Sequence, residues 1–285
     1  MLGLMPLPAL RMLGLVLGAL LVRLPNRYRT ITRLHLLRCL PDIPASERLQ
    51  IERSSLIASA QAIFEAPAIW FGPLARRQRW IVASPEQLAI IRDAQRPGHG
   101  VIMLTPHQGA WELASFFCAQ IAPITVLYKP QKGAADTVIR DGRARGAKVT
   151  PVPTTGAGVK ALLAALKAGD MVGILPDHDP PEGSGTVFAP LFGIPANTMD
   201  LVTKLAARTG APVLYVIAER RPWAQGFRFH VLTAPSGIAD PQHGPAALNA
   251  GLETCIRLLP SQYWWSYRRY RRRPVGEAGF YHPNA

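Results

Sequence analysis

VIMLTPHQGAWELASFF, residues 101–117, begins as an unbroken apolar run, stops at Pro106, presents His107, and returns to apolar residues after Glu112. A short apolar run closed by proline reads as a buried strand, and the segment after Glu112 reads as a helix. On a regular helix two positions five apart are separated by roughly 500°, about 140° off one another, so His107 and Glu112 would not share a face. His107 is therefore expected in the turn between strand and helix. Glu112 then falls in the first helical turn, from where its carboxylate reaches back to the imidazole. Such a pair is a base with an orienting partner.

Outward from this unit the same rhythm recurs. WIVAS (80–84) and HGVIMLTP (99–106) read as strands flanking the helix PEQLAIIRDAQ (85–95), whose Ser84-Pro85 start is a capping signal. ITVLYKP (124–130), GAKVTPVP (146–153), MVGILP (171–176) and APVLYVIAER (211–220) read as further strands, with FRFHVLTAP (227–235) as one more at an edge. Between them AADTVIRDGRAR (134–145), GAGVKALLAALKAG (156–169) and TMDLVTKLAARTG (198–210) read as helices. An earlier amphipathic helix is expected after Pro44 and Ser46, with Leu49, Leu56, Ile57, Ala60 and Ile63 at helical spacing. The fold class is α/β, a mixed β-sheet flanked by helices, and 285 residues suffice for one sizeable core.

Residues 1–22 carry a single charge, Arg11, and the run 12–22 is wholly apolar. A membrane span needs about 20 apolar residues, so this segment either tolerates Arg11 in a longer span or lies in the interface. Arg23, Arg27, Arg29, Arg33 and Arg38 follow in place of a cleavage site, which favours a retained anchor, with the arginines cytoplasmic, over a signal peptide. A buried helix of a soluble domain is the plainer alternative. The chain is thus divided into an anchoring apolar helix with its basic flank, residues 1–40, and a catalytic domain, residues 41–285.

The 32 Lys and Arg against 18 Asp and Glu leave a net charge of +14, which calls for an anionic partner: nucleic acid, acidic protein or anionic membrane. The 48% hydrophobic content leans toward the membrane. Cys39, Cys118 and Cys255 are isolated and read as buried small hydrophobes of a protein from a reducing compartment, with a Cys118 nucleophile as the lesser reading.

In open α/β sheets, sites gather at the carboxyl ends of strands. His107, Lys129 and Asp177 each stand at such an end and are candidates for one pocket. The loop PDHDPPEGSGTVFAPLFG (176–193) adds His178 and Asp179, and its Phe188, Leu191 and Phe192 suit either a groove for an acyl chain or the core. No HExxH is present, and a hydrogen-bonded loop is preferred to a metal site. LLPSQYWWSYRRYRRRP (258–274) interleaves aromatic rings with arginines, a composition suited to a membrane interface, to single-stranded nucleic acid, or to a solvated basic tail.

Taken in order, HQGAWE, VLYKP, RARGAKV, ALLAALKAGDMVGILPDHDP, VFAPLFGIPANT, LAARTGAPVLYV and SQYWWSYRRYRRRP resemble the blocks of the lipid A secondary acyltransferases, within the glycerolipid and lysophospholipid acyltransferase superfamily. The resemblance covers nearly the whole chain. It implies a glycerol-phosphate-acyltransferase-like fold with a membrane-associated N-terminal helix, at the cytoplasmic face of a bacterial inner membrane. It implies transfer of a fatty acyl group from an acyl-carrier-protein thioester, or acyl-CoA, to a hydroxyl of a lipid A precursor or related anionic glycolipid. No cofactor, metal or nucleic acid is expected. In this resemblance His107 is the general base and Glu112 holds its tautomer. Lys129, where the family commonly has arginine, contacts acceptor phosphate or the developing oxyanion; Arg143 and Arg145 are further anion contacts, and Asp177 and Asp179 belong to the acceptor-side loop. Tyr267 stands where the family often has histidine and is given no catalytic part. The rivals are an acyltransferase with another lipid acceptor, a hydrolase, and a basic nucleic-acid-binding protein.

Overall fold

The computed structural model describes residues 2–95, 98–145, 148–181 and 185–281. Gly146 and Ala147 of the arginine-rich turn and residues 182–184 of the long loop, which the sequence reading includes, lie outside them.

Helices α1 (Leu7–Arg23), α2 (Arg27–Cys39), α3 (Ala45–Phe71) and α4 (Leu74–Trp80) come first. The α/β region then runs β1 (Ile81–Val82), α5 (Pro85–Gln95), β2 (Val101–Leu104), a 3-10 turn Trp111–Leu113, α6 (Ala114–Cys118), β3 (Ile124–Tyr128), α7 (Ala134–Ala144), β4 (Val149–Pro153), α8 (Gly156–Lys167) and β5 (Met171–Ile174). It continues with β6 (Thr186–Leu191), β7 (Ile194–Met199), α9 (Leu201–Thr209), β8 (Val213–Arg220), β9 (Phe227–Thr233) and α10 (Gly244–Leu258). Seven strands form one sheet in the order β1-β9-β8-β2-β5-β3-β4. All its pairings are parallel except that of β8 with β9. The short parallel strands are buried on both faces, as β2 and β5 are at every residue, because helices cover both sides. Two apolar clusters, one on each face, make up the core.

Three expectations change. FRFHVLTAP is not an edge strand: β9 lies between β1 and β8 and is antiparallel to β8, to which a tight hairpin connects it. The segment from Val187 to Gly193 is not an open loop but most of a second, two-stranded sheet of β6 and β7. Its turn is made by Phe192 and Gly193, both at positive φ, the backbone a two-residue hairpin requires. Leu191 therefore goes into the core while Phe188 stays 44% exposed, so these rings do not enclose an acyl groove.

The N-terminal segment packs onto α3. Leu7 and Leu10 are buried, and Gly14 and Gly18 let α1 lie against α3 so closely that an added Cβ would come within 2.5 Å of the Gln61 and Ile57 Cα atoms. Arg11 turns inward, donating to Glu65 at 3.1 Å, and the fully buried Glu65 also takes Arg220 at 2.7 Å. The other side of α1, with Met12, Leu13, Leu15, Val16 and Leu20, is exposed. Among the described residues no single helix is long and apolar enough to cross a membrane. Helices α1 and α2, bent by 76° at their break, have that length and composition only together.

Candidate functional site

The sheet places β2 beside β5, so the turns that follow them meet. Glycine shapes the first turn. Gly109 has φ +60, and a Cβ there would stand 2.0 Å from the Ala218 carbonyl oxygen, so only glycine lets the chain leave β2 and press against β8. The neighbouring amides are tied down, Gly109 N–H to the Gln262 carbonyl at 2.9 Å and Ala110 N–H to that of Ala218 at 2.8 Å. His107 is thereby fixed at the strand end and is 7% exposed.

Its partner is Asp177, from the turn after β5. The His107 ring Nδ1 lies 2.8 Å from Asp177 Oδ1, and the His107 backbone N–H donates to Oδ2 of the same carboxylate, also at 2.8 Å. Both oxygens accept, so Nδ1 carries a proton, and in the neutral ring the lone pair is on Nε2. Burial opposes the charge on Asp177, but His107 outweighs it by charge and hydrogen bond, and the carboxyl falls to about 2. The anion is therefore permanent at neutral pH.

The expected role of Glu112 is corrected by this geometry. Glu112 does lie in the 3-10 turn that opens the helix, but its carboxylate accepts from Trp70 Nε1 at 2.9 Å and from Arg143 through Nε at 2.9 Å and through Nη2. A carboxylate gripped by a guanidinium fork and an indole has no oxygen aimed at Nδ1, and Asp177 fills that place. Burial opposes ionisation of Glu112, yet Arg143 and Trp70, with His107 charge adding, hold it below the usual carboxylate range.

Arg143, read as an anion contact, is thus engaged by Glu112. Arg145 lies with its guanidinium over the Phe71 ring at 5.2 Å. Lys129 is exposed at the end of β3, near enough that its charge bears on His178. Asp179, read as part of the acceptor loop, is buried and holds the loop to the C-terminal segment, accepting from Asn197 at 2.8 Å and Arg272 at 2.7 Å.

Sequence reasoning passed over the aromatic wall. Trp111 and Trp264 stack on each other with centroids 5.7 Å apart, each about as far from His107, at 5.2 and 5.3 Å. On the other side the His178 ring stacks on His107 at 4.4 Å and on Tyr267 at 5.0 Å. Nε2 of His178 is 3.0 Å from Nε2 of His107, so the His178 N–H donates to the lone pair that Asp177 leaves on the His107 ring, which the acceptor hydroxyl would have to displace. Tyr267, given no catalytic part, belongs to this wall, its hydroxyl accepting from the Asp179 backbone N–H at 2.9 Å. The C-terminal segment is accordingly neither a solvated tail nor a free platform for nucleic acid, since Trp265, Arg269 and Tyr270 are buried.

Burial, then the neighbouring His107, pushes His178 down to about 4, and burial does the same for His35. A histidine kept neutral in the fold but free to take a proton when unfolded costs stability as pH falls from its unfolded value, about 6.5, to its folded one. Stability is expected to decline between about pH 6.5 and 4. His178→Gln should lessen that slope by one proton, about 1.4 kcal/mol per pH unit. Urea unfolding at several pH values measures it, and an unchanged slope would mean that His178 is solvated.

Beside Trp111 and Glu112 a narrow recess of about 40 Å³ runs between the sheet and α6. Thr105, Leu175 and Arg143 stand near the strand ends, and Met103, Cys118 and Ile124 line its deeper part. Burial pushes the Cys118 thiol up to about 12, which leaves it a wall and not a nucleophile. Among the described residues no group of three or more His, Cys, Asp or Glu is placed to hold a metal ion.

A family model described as "Bacterial lipid A biosynthesis acyltransferase" matches residues 1–272. Among curated proteins, a lipid A biosynthesis palmitoleoyltransferase of Escherichia coli (strain K12) is 29% identical over 280 residues, which is 97% of this chain and 90% of that protein. A lipid A biosynthesis lauroyltransferase of the same organism is 29% identical over 95% of this chain and 88% of its own length. A lipid A biosynthesis acyltransferase of Haemophilus influenzae is 26% identical, covering 95% and 86%.

Proposed function

We propose, from the premise that this chain belongs to the bacterial lipid A biosynthesis acyltransferase family and is an acyltransferase, that it moves a fatty acyl group from a carrier thioester to a hydroxyl of a lipid A precursor with His107 as the base. The observation that carries the mechanism is the double hydrogen bond from His107 to Asp177, which in the neutral ring leaves the lone pair on Nε2, next to Trp111 at the mouth of the apolar recess. The acceptor hydroxyl gives its proton to Nε2 as its oxygen attacks the thioester carbonyl. The tetrahedral oxyanion then collapses, the carbon–sulfur bond breaks, and the thiolate takes the proton back from Nε2. Asp177 stabilises the imidazolium between these steps by its fixed charge. Glu112 adds a second negative charge through space and holds Arg143, whose remaining N–H groups border the recess and suit an oxyanion or phosphate.

The donor in this reading is an acidic acyl carrier protein, drawn by the net charge of +14, with acyl-CoA as the simpler thioester of the same chemistry. Lys129, exposed at the strand end, suits a phosphate of the acceptor. The work is done at the cytoplasmic face of the inner membrane, with the exposed apolar side of α1 toward lipid. Mass spectrometry of a lipid A precursor incubated with the purified chain and an acyl-carrier thioester tests the whole reading. A product heavier by one acyl group supports it. Release of free fatty acid at the same rate with or without acceptor would instead make the protein a hydrolase.

The recess predicts a length limit. Ser115 lines it on α6 and is only partly buried, so Ser115→Phe fills space without replacing a core residue. With a mixture of donor thioesters the variant is expected to shift toward shorter chains. An unchanged preference would put the acyl chain elsewhere.

A further inference from the structure

The hairpin joining β8 to β9 carries a feature that the site does not use. Its tip, Pro222–Ala224, holds Trp223 at φ 52 with Ala224 at φ 56, a left-handed backbone that residues with a Cβ seldom adopt. The conformation displays the indole almost wholly to solvent, at 92% exposure. The tip is not slack. Arg11 of α1 reaches into its neck, donating to the carbonyls of Arg221 and, at 3.1 Å, Gly226, and the Arg221 N–H donates to the Gly226 carbonyl at 3.1 Å. Arg11 therefore fixes the hairpin to the apolar helix.

Trp223 and Pro222 line one groove of about 580 Å³ with Met12 and Leu15 of α1 and Ile57 of α3. Met12 and Leu15 are exposed, and Val16 and Leu20 extend the same helix's exposed apolar side. The groove's charged lining is Arg11 and Arg220, both engaged by the buried Glu65, and Arg221 at its edge. An indole beside aliphatic side chains, with Arg221 at the edge, matches a bilayer interface, where rings lie at headgroup level and a guanidinium meets lipid phosphate.

We propose that the β8–β9 tip is a second membrane-seating element, with Trp223 entering the headgroup layer of an anionic bilayer alongside the outer side of α1. This rests on the reading that the enzyme works at a membrane surface, and it adds the element that sets the depth and tilt of docking. The committed partner is the lipid surface. An acidic protein would be drawn by the arginines but would leave the indole and the aliphatic side chains without a match.

The full chain is mixed with vesicles of phosphatidylglycerol and phosphatidylethanolamine, and with the same vesicles carrying lipids brominated near the headgroup. Wild type is expected to bind and its tryptophan emission to be quenched. Trp223→Ala is expected to lose most of that quenching and to bind at least about fivefold more weakly, with turnover on detergent-dispersed acceptor unchanged. Leu15→Glu, on the other wall of the groove, should weaken binding similarly while leaving detergent turnover intact. If wild type binds and both variants bind and quench equally well, this proposal fails while the membrane reading stands. If wild type ignores vesicles yet acylates dispersed acceptor, the membrane reading fails and takes the proposal with it. A Trp223→Ala effect confined to KM for the carrier thioester would identify a protein-docking site and overturn the proposal.

Discussion

Replacing His107 by alanine is expected to lower acyl transfer by about 10²–10⁴-fold, the usual worth of a positioned general base. The reason is the lone pair on Nε2, whose neighbour in the fold is the His178 ring nitrogen at 3.0 Å. Asp177 occupies the other ring nitrogen, the flanking rings of Trp111, Trp264 and His178 offer no second base that ionises at neutral pH, and burial keeps His178 down at about 4. The thiol nearest the recess, Cys118, is held protonated. Nothing else described at the strand ends can take a hydroxyl proton at neutral pH with comparable ease. Because the alanine variant leaves a hole in a stack of rings, His107→Gln serves as the companion that keeps most of the volume. Both should fold, with turnover lost and acceptor binding retained. Near-normal turnover in either variant would remove His107 from the mechanism.

Asp177→Asn is expected to cost nearly as much, on the order of 10²–10⁴-fold, although only an oxygen becomes an amide nitrogen. Two donors of His107, the backbone N–H and Nδ1–H, are now met by two acceptor oxygens. Asparagine supplies one acceptor and one donor. The backbone N–H cannot change its proton, so it claims the remaining oxygen, and the amide N–H faces Nδ1. The ring then answers by moving its proton to Nε2, and the base disappears. The loss should fall on kcat with KM little changed, because a positioning residue that never meets the acceptor alters the reacting nitrogen and not binding. A variant that loses affinity and keeps kcat would make Asp177 part of the acceptor-side loop, the role the family resemblance implies for it.

The strand-turn-helix around His107 was legible because it is local: an apolar run, a proline, and a change of period within 17 residues. The α/β class was legible for the same reason, repeated along the chain. Strand order was not. Asp177 lies 70 residues beyond His107 and becomes its partner only because β5 pairs with β2, an adjacency set by helical crossovers that leave no mark in either strand. Spacing puts Glu112 in the first helical turn after His107, within reach of the imidazole, but Trp70 and Arg143, 42 and 31 residues away, claim it. The spacing after MVGILP carried a usable signal: Asp177 follows its strand and proline just as His107 follows VIMLTP.

The C-terminal segment misled for a different reason. Arginine and tyrosine are amphipathic, so their composition does not reveal burial. Arg269 is 3% exposed because its guanidinium meets the Asn197 carbonyl at 2.6 Å and Thr198 Oγ1 at 3.2 Å, partners supplied by β7, a strand the sequence reading did not separate. Arg11 likewise interrupts the apolar run and is a partly buried link between α1, Glu65 and the β8–β9 hairpin.

The claim on which the mechanism turns is the position of one proton. Nitrogen-15 spectra of the histidine rings in the full-length protein, with His107 assigned by its loss in the glutamine variant, read that position at neutral pH. The account predicts a proton on Nδ1 and a bare Nε2, reversed in Asp177→Asn. A wild-type ring protonated on Nε2 with Nδ1 bare would contradict it, since no base would then face the acceptor.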